Sequence, residues 1–431
     1  MLRILLFLLY INPQKKDMKK FRVLLISLLA TTAAVSCGGG GGDKPSSGIY
    51  TPPANVEVSS VSVSPTTSEL VIGGTVQLSA TVNPSNATDK SVSWSSSNQT
   101  IAKVTPTGLV TAVAKGTAVI TASSGGKTAS CSVTVKKPYA DVVFDDNIFK
   151  AYCVNLYDVD KDGEIDVEEA KKITRLEIQN KGIKSVTGIN AFENLTYLNC
   201  SVNQLKKLDL SGKAKLTDLN CLDNQLELLE LKGCVALKRL NCGYNKLKKL
   251  DLKNSTEIST VKCDFNELTI LDLEGCNKLL EVNCANNKIS KLDLSKSKTL
   301  QNVICENNQI EALDVANNPY LALLRADNNK IKTLDLKGCS YLMEVSVGNN
   351  QLTEFVPEEN VSYNLNCYGN SIAEIDLSKT AINSLGAWPM TTFKILKIKK
   401  GRYVNYYYYS SDSAFGFLNP EDYGTTVIEV E

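Results

Sequence analysis

Cysteine returns at a fixed step of 21 residues through the middle of this chain, at Cys200, Cys221, Cys242, Cys263, Cys284 and Cys305. The residues around it repeat as well. One unit reads Leu216-Thr-Asp-Leu219-Asn-Cys221-Leu-Asp-Asn224-Gln-Leu226, and Leu195, Leu237, Ile258, Leu279, Leu300, Leu321 and Leu342 hold the place of Leu216 in other units. A unit this short cannot close a hydrophobic core alone, so its apolar face is covered only when the next unit stacks on it. The chain is thereby constrained to a solenoid of short parallel strands. Such a shape offers an extended surface to another molecule rather than an enclosed reaction chamber.

The pattern L-x-x-L-x-C-x-x-N-x-L is that of leucine-rich repeats. Cysteine in the third core position with this step resembles the internalin J subclass, over residues 176–385. Cysteines in register on parallel strands roughly 4.8 Å apart point the same way, which is poor geometry for a disulfide. They read as buried thiols packing as small hydrophobes. A row of metal-binding thiolates is the alternative, and Ala326 and Val347 in the same slot oppose it. Cys234, Cys276 and Cys339 form a second row shared with Lys213, Ser255, Ser297 and Asn318, and that variability reads as a rim. Asn203, Asn224, Asn245, Asn266, Asn287, Asn308, Asn329, Asn350 and Asn370 form a ladder whose amides can satisfy main-chain groups where the chain turns inside the core. A second short strand of the type Leu-Asp-Leu is expected to close each coil. Its acids, including Asp209, Asp251, Asp293 and Asp376, read as a solvated face offset by nearby lysines, with a strip recognising a cationic partner as the alternative.

Other modules precede the solenoid. Met18-Lys-Lys-Phe-Arg22 followed by apolar Val23–Val35 reads as a signal peptide over residues 1–36, with Met18 the true start. Ala34-Val35-Ser36-Cys37 resembles a bacterial lipobox, which implies cleavage before Cys37 and a lipid on that cysteine; an uncleaved anchor is the alternative. Residues 37–53, rich in glycine, are a flexible tether. The expected location is a lipid-anchored place in the bacterial envelope, on the outer membrane and facing outward.

Residues 54–137 alternate in short runs broken by glycine, the pattern of a small β-sandwich. Val61-Ser-Val63, Val92-Ser-Trp94, Ile101-Ala-Lys-Val104, Gly108-Leu-Val110 and Gly116-Thr-Ala-Val-Ile120 resemble the group 2 bacterial immunoglobulin-like domain, with Trp94 in its core. The expected fold class is therefore multidomain and mainly β. An immunoglobulin-like sandwich leads to a helical cap, a parallel-strand solenoid and, over residues 386–431, a β-rich C-terminal cap.

Residues 139–175 carry a different signal. Asp158-Val-Asp160-Lys-Asp162-Gly163-Glu164-Ile165-Asp166-Val-Glu-Glu169 fits the twelve-residue EF-hand loop. Calcium, a hard cation, would take side-chain oxygens from Asp158, Asp160 and Asp162, a backbone carbonyl from Glu164, a direct or water-mediated oxygen from Asp166 and two oxygens from Glu169. The alternative is an acidic turn without metal. Ile148, Phe149, Tyr152 and Leu156 are expected to form the apolar face of the entering helix. No second hand follows, so calcium is read as structural, holding a cap over the open end of the solenoid. The helical caps of internalins also resemble a truncated EF-hand, and here the acidic ligands are all present.

Candidate partner contacts lie on the face of the L-x-C strands: Tyr197, Asn220, Arg239, Asn241, Lys262, Asn283, Arg325 and Tyr368, with Tyr244 and Phe265 as adjacent aromatics. Chance surface aromatics are the bland alternative for that pair. The chain has no histidine, which excludes His-based catalysis and His zinc sites, and we find no nucleophile paired with a base. Removing residues 1–36 leaves 41 basic against 45 acidic residues, unlike a nucleic-acid binder. The expectation is a monomeric surface lipoprotein, not an enzyme, that binds an extracellular protein. A glycan-binding protein for nutrient capture is the second reading.

Overall fold

The computed structural model describes residues 54–431 apart from 254, 389, 410–414 and 418. The expected signal peptide, Cys37 and the tether lie outside the described residues. Residues 60–136 form a β-sandwich. One sheet joins Thr67–Val71, Lys127–Lys136, Gly116–Ser124 and Ser93–Ser96; a second joins Thr75–Gln77, Leu109–Ala112 and Ala102–Val104. Ser60–Ser64 pairs antiparallel with Ser79–Asn83. The alternation works as the pleat demands. Ala118, Ile120 and Ala122 of one strand and Cys131, Val133 and Val135 of its neighbour are buried between the sheets. Trp94 packs half-buried against this core, close to Gly108, where a Cβ would meet its ring at 3.0 Å.

Helix α1, Asn147–Tyr157, opens the cap. Asp146 caps it by accepting from the N–H groups of Ile148 and Phe149, and its other oxygen accepts from Lys184 N at 2.8 Å in the first coil. Phe149 and Cys153, one helical turn apart, face the core. Ile148 and Leu156 are exposed, contrary to the expected apolar face, because Phe149 docks on Phe192 of the first coil with ring centroids 6.1 Å apart and so fixes the helix rotation. Helix α2, Val167–Ala170, is a single turn with a capping box between Asp166 and Glu169. Ile173 and Leu176 then carry the chain into the solenoid core.

The solenoid is a 13-stranded sheet, parallel from Arg175–Glu177 through Asn405–Tyr409. Neighbouring coils pair residue for residue: Leu219 faces Leu240, and Leu240 faces Val261. One core runs continuously from Val142 to Val404. Parallel pairing does not stop where the sequence period fades. Ser384–Trp388 and Asn405–Tyr409 continue the sheet, and Ile395–Lys399 and Thr426–Val430 stack beyond Glu374–Asp376. Trp388 and Phe393 meet edge to face there, centroids 5.3 Å apart.

The asparagine ladder works as a set of buried clamps. Asn266 Nδ2 donates to Cys242 O at 3.0 Å and Cys263 O at 3.1 Å, and its Oδ1 accepts from Leu247 N at 2.9 Å. Asn224, Asn245, Asn287, Asn308, Asn329, Asn350 and Asn370 repeat this arrangement. The cysteine ladder is buried and unbridged, and burial pushes the Cys200, Cys242, Cys284 and Cys367 thiols up to about 12.

Two expectations are corrected and one is extended. The row of Cys234, Cys276 and Cys339 is not a rim: it is buried, and each Sγ donates to a main-chain carbonyl, of Leu210, Leu252 and Val315. Lys213, Ser297 and Asn318 in the same slot also donate to carbonyls, so the slot requires a buried donor of almost any kind. The acids of the Leu-Asp-Leu segments are more than a solvated face. Asp209, Asp251, Asp272, Asp293, Asp335 and Asp376 each accept from the N–H two residues on, ending the segment in an Asx turn. The second strand itself is intermittent, forming at Lys207–Asp209 with Leu228–Glu230 and at Lys249–Asp251 with Ile270–Asp272 but not at Leu292–Leu294.

Asn266→Ala leaves the buried Leu247 N without its acceptor, at about 1–3 kcal/mol before relaxation, while Cys242 O and Cys263 O keep Asn245 and Asn287 as donors. A urea titration is expected to show a loss of about 1–3 kcal/mol, against less than ~0.5 kcal/mol for Lys248→Ala on the surface. Thiol-specific reagent at pH 8 is expected to leave the twelve buried cysteines unlabelled until denaturant is added.

Candidate functional site

Two regions gather chemistry-bearing side chains. The first is the loop between α1 and α2. Its backbone is folded onto its own carboxylates. Asp158 accepts from Lys161 N at 2.6 Å and Gly163 N at 2.9 Å, Asp160 Oδ1 from Asp162 N at 3.2 Å, and Asp162 Oδ1 from Glu164 N at 3.0 Å. Gly163, at φ 86°, takes the sharp turn. Glu169 reaches back from α2 to accept from Val159 N at 2.7 Å and Asp166 N at 3.0 Å. Asp158, Asp160 and Asp162 bring carboxylate oxygens within 4.8 Å of one another, as a cation site requires. The Glu164 side chain pairs instead with Lys150 at 2.7 Å, and Asp166 caps α2.

Two features of this loop were not legible in the motif. A lone EF-hand lacks the partner that normally pairs with its central residue. Here the interdomain segment takes that part: Val142 N donates to Ile165 O at 2.7 Å and Val167 N to Ala140 O at 3.1 Å. The second feature is a lysine. Lys137, directly after the last sandwich strand, places its ammonium 2.6 Å from Asp162 Oδ2 and 3.3 Å from Asp160 Oδ2. Its side chain is only 5% exposed. Burial pulls this ammonium's pKa down, and the carboxylates of Asp162 and Asp160 more than reverse that, leaving it raised. For Asp162, burial acts upward, and the Lys137 ammonium and the Glu164 N–H override it, leaving its carboxyl below the usual range.

The second region is the exposed face of the long sheet. Tyr244 and Phe265 stack on adjacent coils with ring centroids 4.4 Å apart, 49% and 45% exposed. Arg239 and Lys262 point outward from the same two strands, each ion-paired in the plane of the sheet, to Asp218 and to Glu281 at 3.0 Å. Asn220, Asn241 and Asn283 hold their own turns by accepting from the N–H two residues on. Asp264, half-buried beside Phe265, has its carboxyl raised by burial. The other candidates are dispersed. Tyr197 lies under the Arg175 guanidinium, 3.6 Å from the ring centroid. Arg325 pairs with Glu344 at 2.8 Å, and Tyr368 packs half-buried near Gly348 and accepts from Asn349 Nδ2 at 3.2 Å. An exposed apolar patch of Tyr320, Tyr341 and Met343 was not anticipated. Its signal was apolar residues at repeat positions that hold Lys215, Glu257 and Lys238 elsewhere.

Tyr244 and Phe265 occupy a turn position with left-handed backbone, φ 52° and 51°. Asn286, Asn307, Asn328 and Asn349 take the same position in later coils, as the conformation favours. There the asparagines bond coil to coil, Asn328 to Asn307 at 2.8 Å and Asn349 to Asn328 at 2.9 Å. The aromatic pair therefore departs from what the turn prefers, at roughly 1–2 kcal/mol per residue, against about 0.5–1.5 kcal/mol returned by stacking. The double variant Tyr244→Asn/Phe265→Asn is expected to unfold at the same urea concentration as the parent or higher. A lower midpoint would make the pair a structural element instead.

Residues 57–135 match the bacterial Ig-like domain (group 2) family. The chain is 42% identical over 88 residues to an alpha-L-arabinofuranosidase of Bifidobacterium longum, covering 20% of this chain and 8% of that protein. It is 52% identical over 64 residues to a lacto-N-biosidase of Bifidobacterium bifidum, covering 15% and 6%. An Ig-like virion protein of Serratia phage KSP90 is 42% identical over 85 residues, covering 19% and 33%. The chain thus spans a third or less of each relative, and the two glycosidases share only the Ig-like part with it. Among solved structures it is similar to the functional domain of InlJ from Listeria monocytogenes, which includes a cysteine ladder, at 24% identity and a TM-score of 0.39 over 57% of this chain and 70% of that one. It is also similar to an internalin, InlF, of the same species, at 19% identity and a TM-score of 0.45 over 68% and 98%. Residues 57–135 are thus a group 2 bacterial Ig-like domain, carried ahead of a leucine-rich repeat solenoid.

Proposed function

We propose that this chain is a binding protein of the bacterial cell envelope that holds an extracellular protein on the long-sheet face around Tyr244 and Phe265. The observation that carries this reading is the stacked aromatic pair in a backbone conformation that asparagine fills elsewhere. A local cost that stacking returns only in part marks residues kept for another purpose. Large aromatics beside Arg239 and Lys262 are the side-chain types that anchor protein partners. A lipid on Cys37 and a tether over residues 37–53 would place the Ig-like domain as a spacer between the membrane and the solenoid. The two glycosidases match only the Ig-like part, over 8% and 6% of their own lengths, and give no reason to extend their activities here.

Calcium belongs to the same proposal. The donor set is all hard oxygen, and a cationic ammonium already lies between two of its carboxylates, so the loop fits a cation. Asp158, Asp160, Asp162 and Glu169 would hold it with side chains and Glu164 with its carbonyl, tying α1 to α2 over the first coil.

Two measurements test this. In a screen against extracellular proteins and polysaccharides, protein hits are expected to weaken at least tenfold in Tyr244→Asn/Phe265→Asn, a hot-spot loss of about 1.4 kcal/mol or more. Binding confined to polysaccharides would favour glycan capture. In thermal melts, calcium at about a hundred times its Kd is expected to add about 2.7 kcal/mol to stability. EGTA should remove that gain and Glu169→Gln should lack it; melts indifferent to calcium would count against the site.

A further inference from the structure

We propose that Lys137 is a built-in competitor for the cation of the loop: calcium enters between Asp160 and Asp162 only as the Lys137 ammonium leaves. Metal binding and the ion-paired joint between the Ig-like domain and the cap are then alternatives. The proposal rests on the calcium reading above and adds a coupling that no EF-hand motif contains.

An inventory of carboxylate oxygens carries the argument. The loop's own N–H groups use both oxygens of Asp158, Oδ1 of Asp160 and Oδ1 of Asp162. Oδ2 of Asp160 and Oδ2 of Asp162 are the ones left, and Lys137 Nζ lies against both, at 3.3 and 2.6 Å. The ammonium thus stands where the loop would direct its metal. A divalent ion and an ammonium cannot share two carboxylates a few ångströms across, since their repulsion grows as water is excluded. A third carboxylate oxygen, Asp141 Oδ1, lies 3.7 Å from the ammonium.

Lys137 is one residue beyond strand Lys127–Lys136, so its side chain is carried by the sandwich and not by the cap. Its ion pairs cross the domain joint. Expelling it removes two of them while leaving Lys115 on Asp141 at 3.0 Å and the Val142–Ile165 backbone bond in place. Calcium would therefore loosen the sandwich from the loop at one end of the linker without undoing the cap. The loop is a reporter of extracellular calcium to the orientation of the Ig-like domain.

The test uses the whole chain. Calorimetry gives the calcium affinity of the parent, of Lys137→Met, which keeps every loop oxygen, and of Lys115→Met, which loses a comparable ion pair outside the loop. Amine acetylation of the parent, read by peptide mass spectrometry with and without calcium, follows Lys137 directly, with Lys136 as exposed standard. Lys137→Met is expected to bind roughly tenfold tighter or more, as a coupling of this kind gives, with Lys115→Met near the parent value. Lys137 should be protected without calcium and acetylated with it, while Lys136 is unchanged. Binding by Lys137→Met alone supports the proposal outright. Equal affinity in parent and Lys137→Met, or a Lys137 that stays protected in calcium-loaded protein, overturns it and leaves the calcium site standing. No binding by either chain overturns both. If Lys137→Met does not fold, the acetylation of the parent decides.

Discussion

Every coil bends its backbone into the core once, just past the cysteine, and a bend inside a core strands main-chain carbonyls and N–H groups away from water. One asparagine amide per coil resolves this, donating to two carbonyls and accepting from one N–H across the coil boundary. The geometry of the long sheet follows from that clamp. Between Asn350 and Asn370 the repeat is one residue shorter, yet Asn370 still bonds Val347 O at 2.9 Å, Cys367 O at 2.8 Å and Leu352 N at 2.9 Å. The missing residue is absorbed elsewhere in the coil. The opposite side, where the asparagine is not repeated from coil to coil, forms its second strand only in places.

This asymmetry decides what the sequence reveals. Rows held by one residue type, the leucines, cysteines and asparagines, have one chemical task and are readable as soon as the period is seen. The row of Lys213, Cys234, Cys276, Ser297, Asn318 and Cys339 looked permissive because identity varied, whereas the shared property is a donor that reaches a carbonyl. Lys213 belongs there despite its charge, its ammonium bonded to two carbonyls and its pKa lowered by burial. The face of α1 was misjudged for a related reason. Ile148 and Leu156 are as apolar as Phe149, and only the position of Phe192 in the first coil selects which side turns inward.

The surface was legible in kind rather than in place. Tyr244 and Phe265 stood out because the core pattern did not require them, and the structure adds that the turn disfavours them as well. Val202 shares the left-handed turn with a β-branched side chain, and nothing in the structure explains it. What separates the aromatics from Val202 is that they are consecutive and touch, making one anchor of two coils. Tyr197 and Arg325 met the same sequence criterion but are engaged by neighbours, Arg175 and Glu344, whose reach depends on side-chain direction across coils.

The joint before the solenoid was hidden for a deeper reason. The loop motif names oxygens by position, and its spacing says nothing about which oxygens the folded backbone has already used. Once those are accounted for, one oxygen each of Asp160 and Asp162 remains, and the residue that answers them comes from another domain, 23 and 25 residues upstream. A lysine at the end of a β-sandwich strand carries no mark of that role. It becomes meaningful only because Val142 pairs with Ile165 and so brings the linker alongside the loop, in the place a second EF-hand would take. The same substitution of a linker for a hand that lets a lone loop stand also brings a cation within reach of it. The ion pairs that reach the loop from the sandwich and the bonds that fold the loop therefore draw on the same few carboxylates.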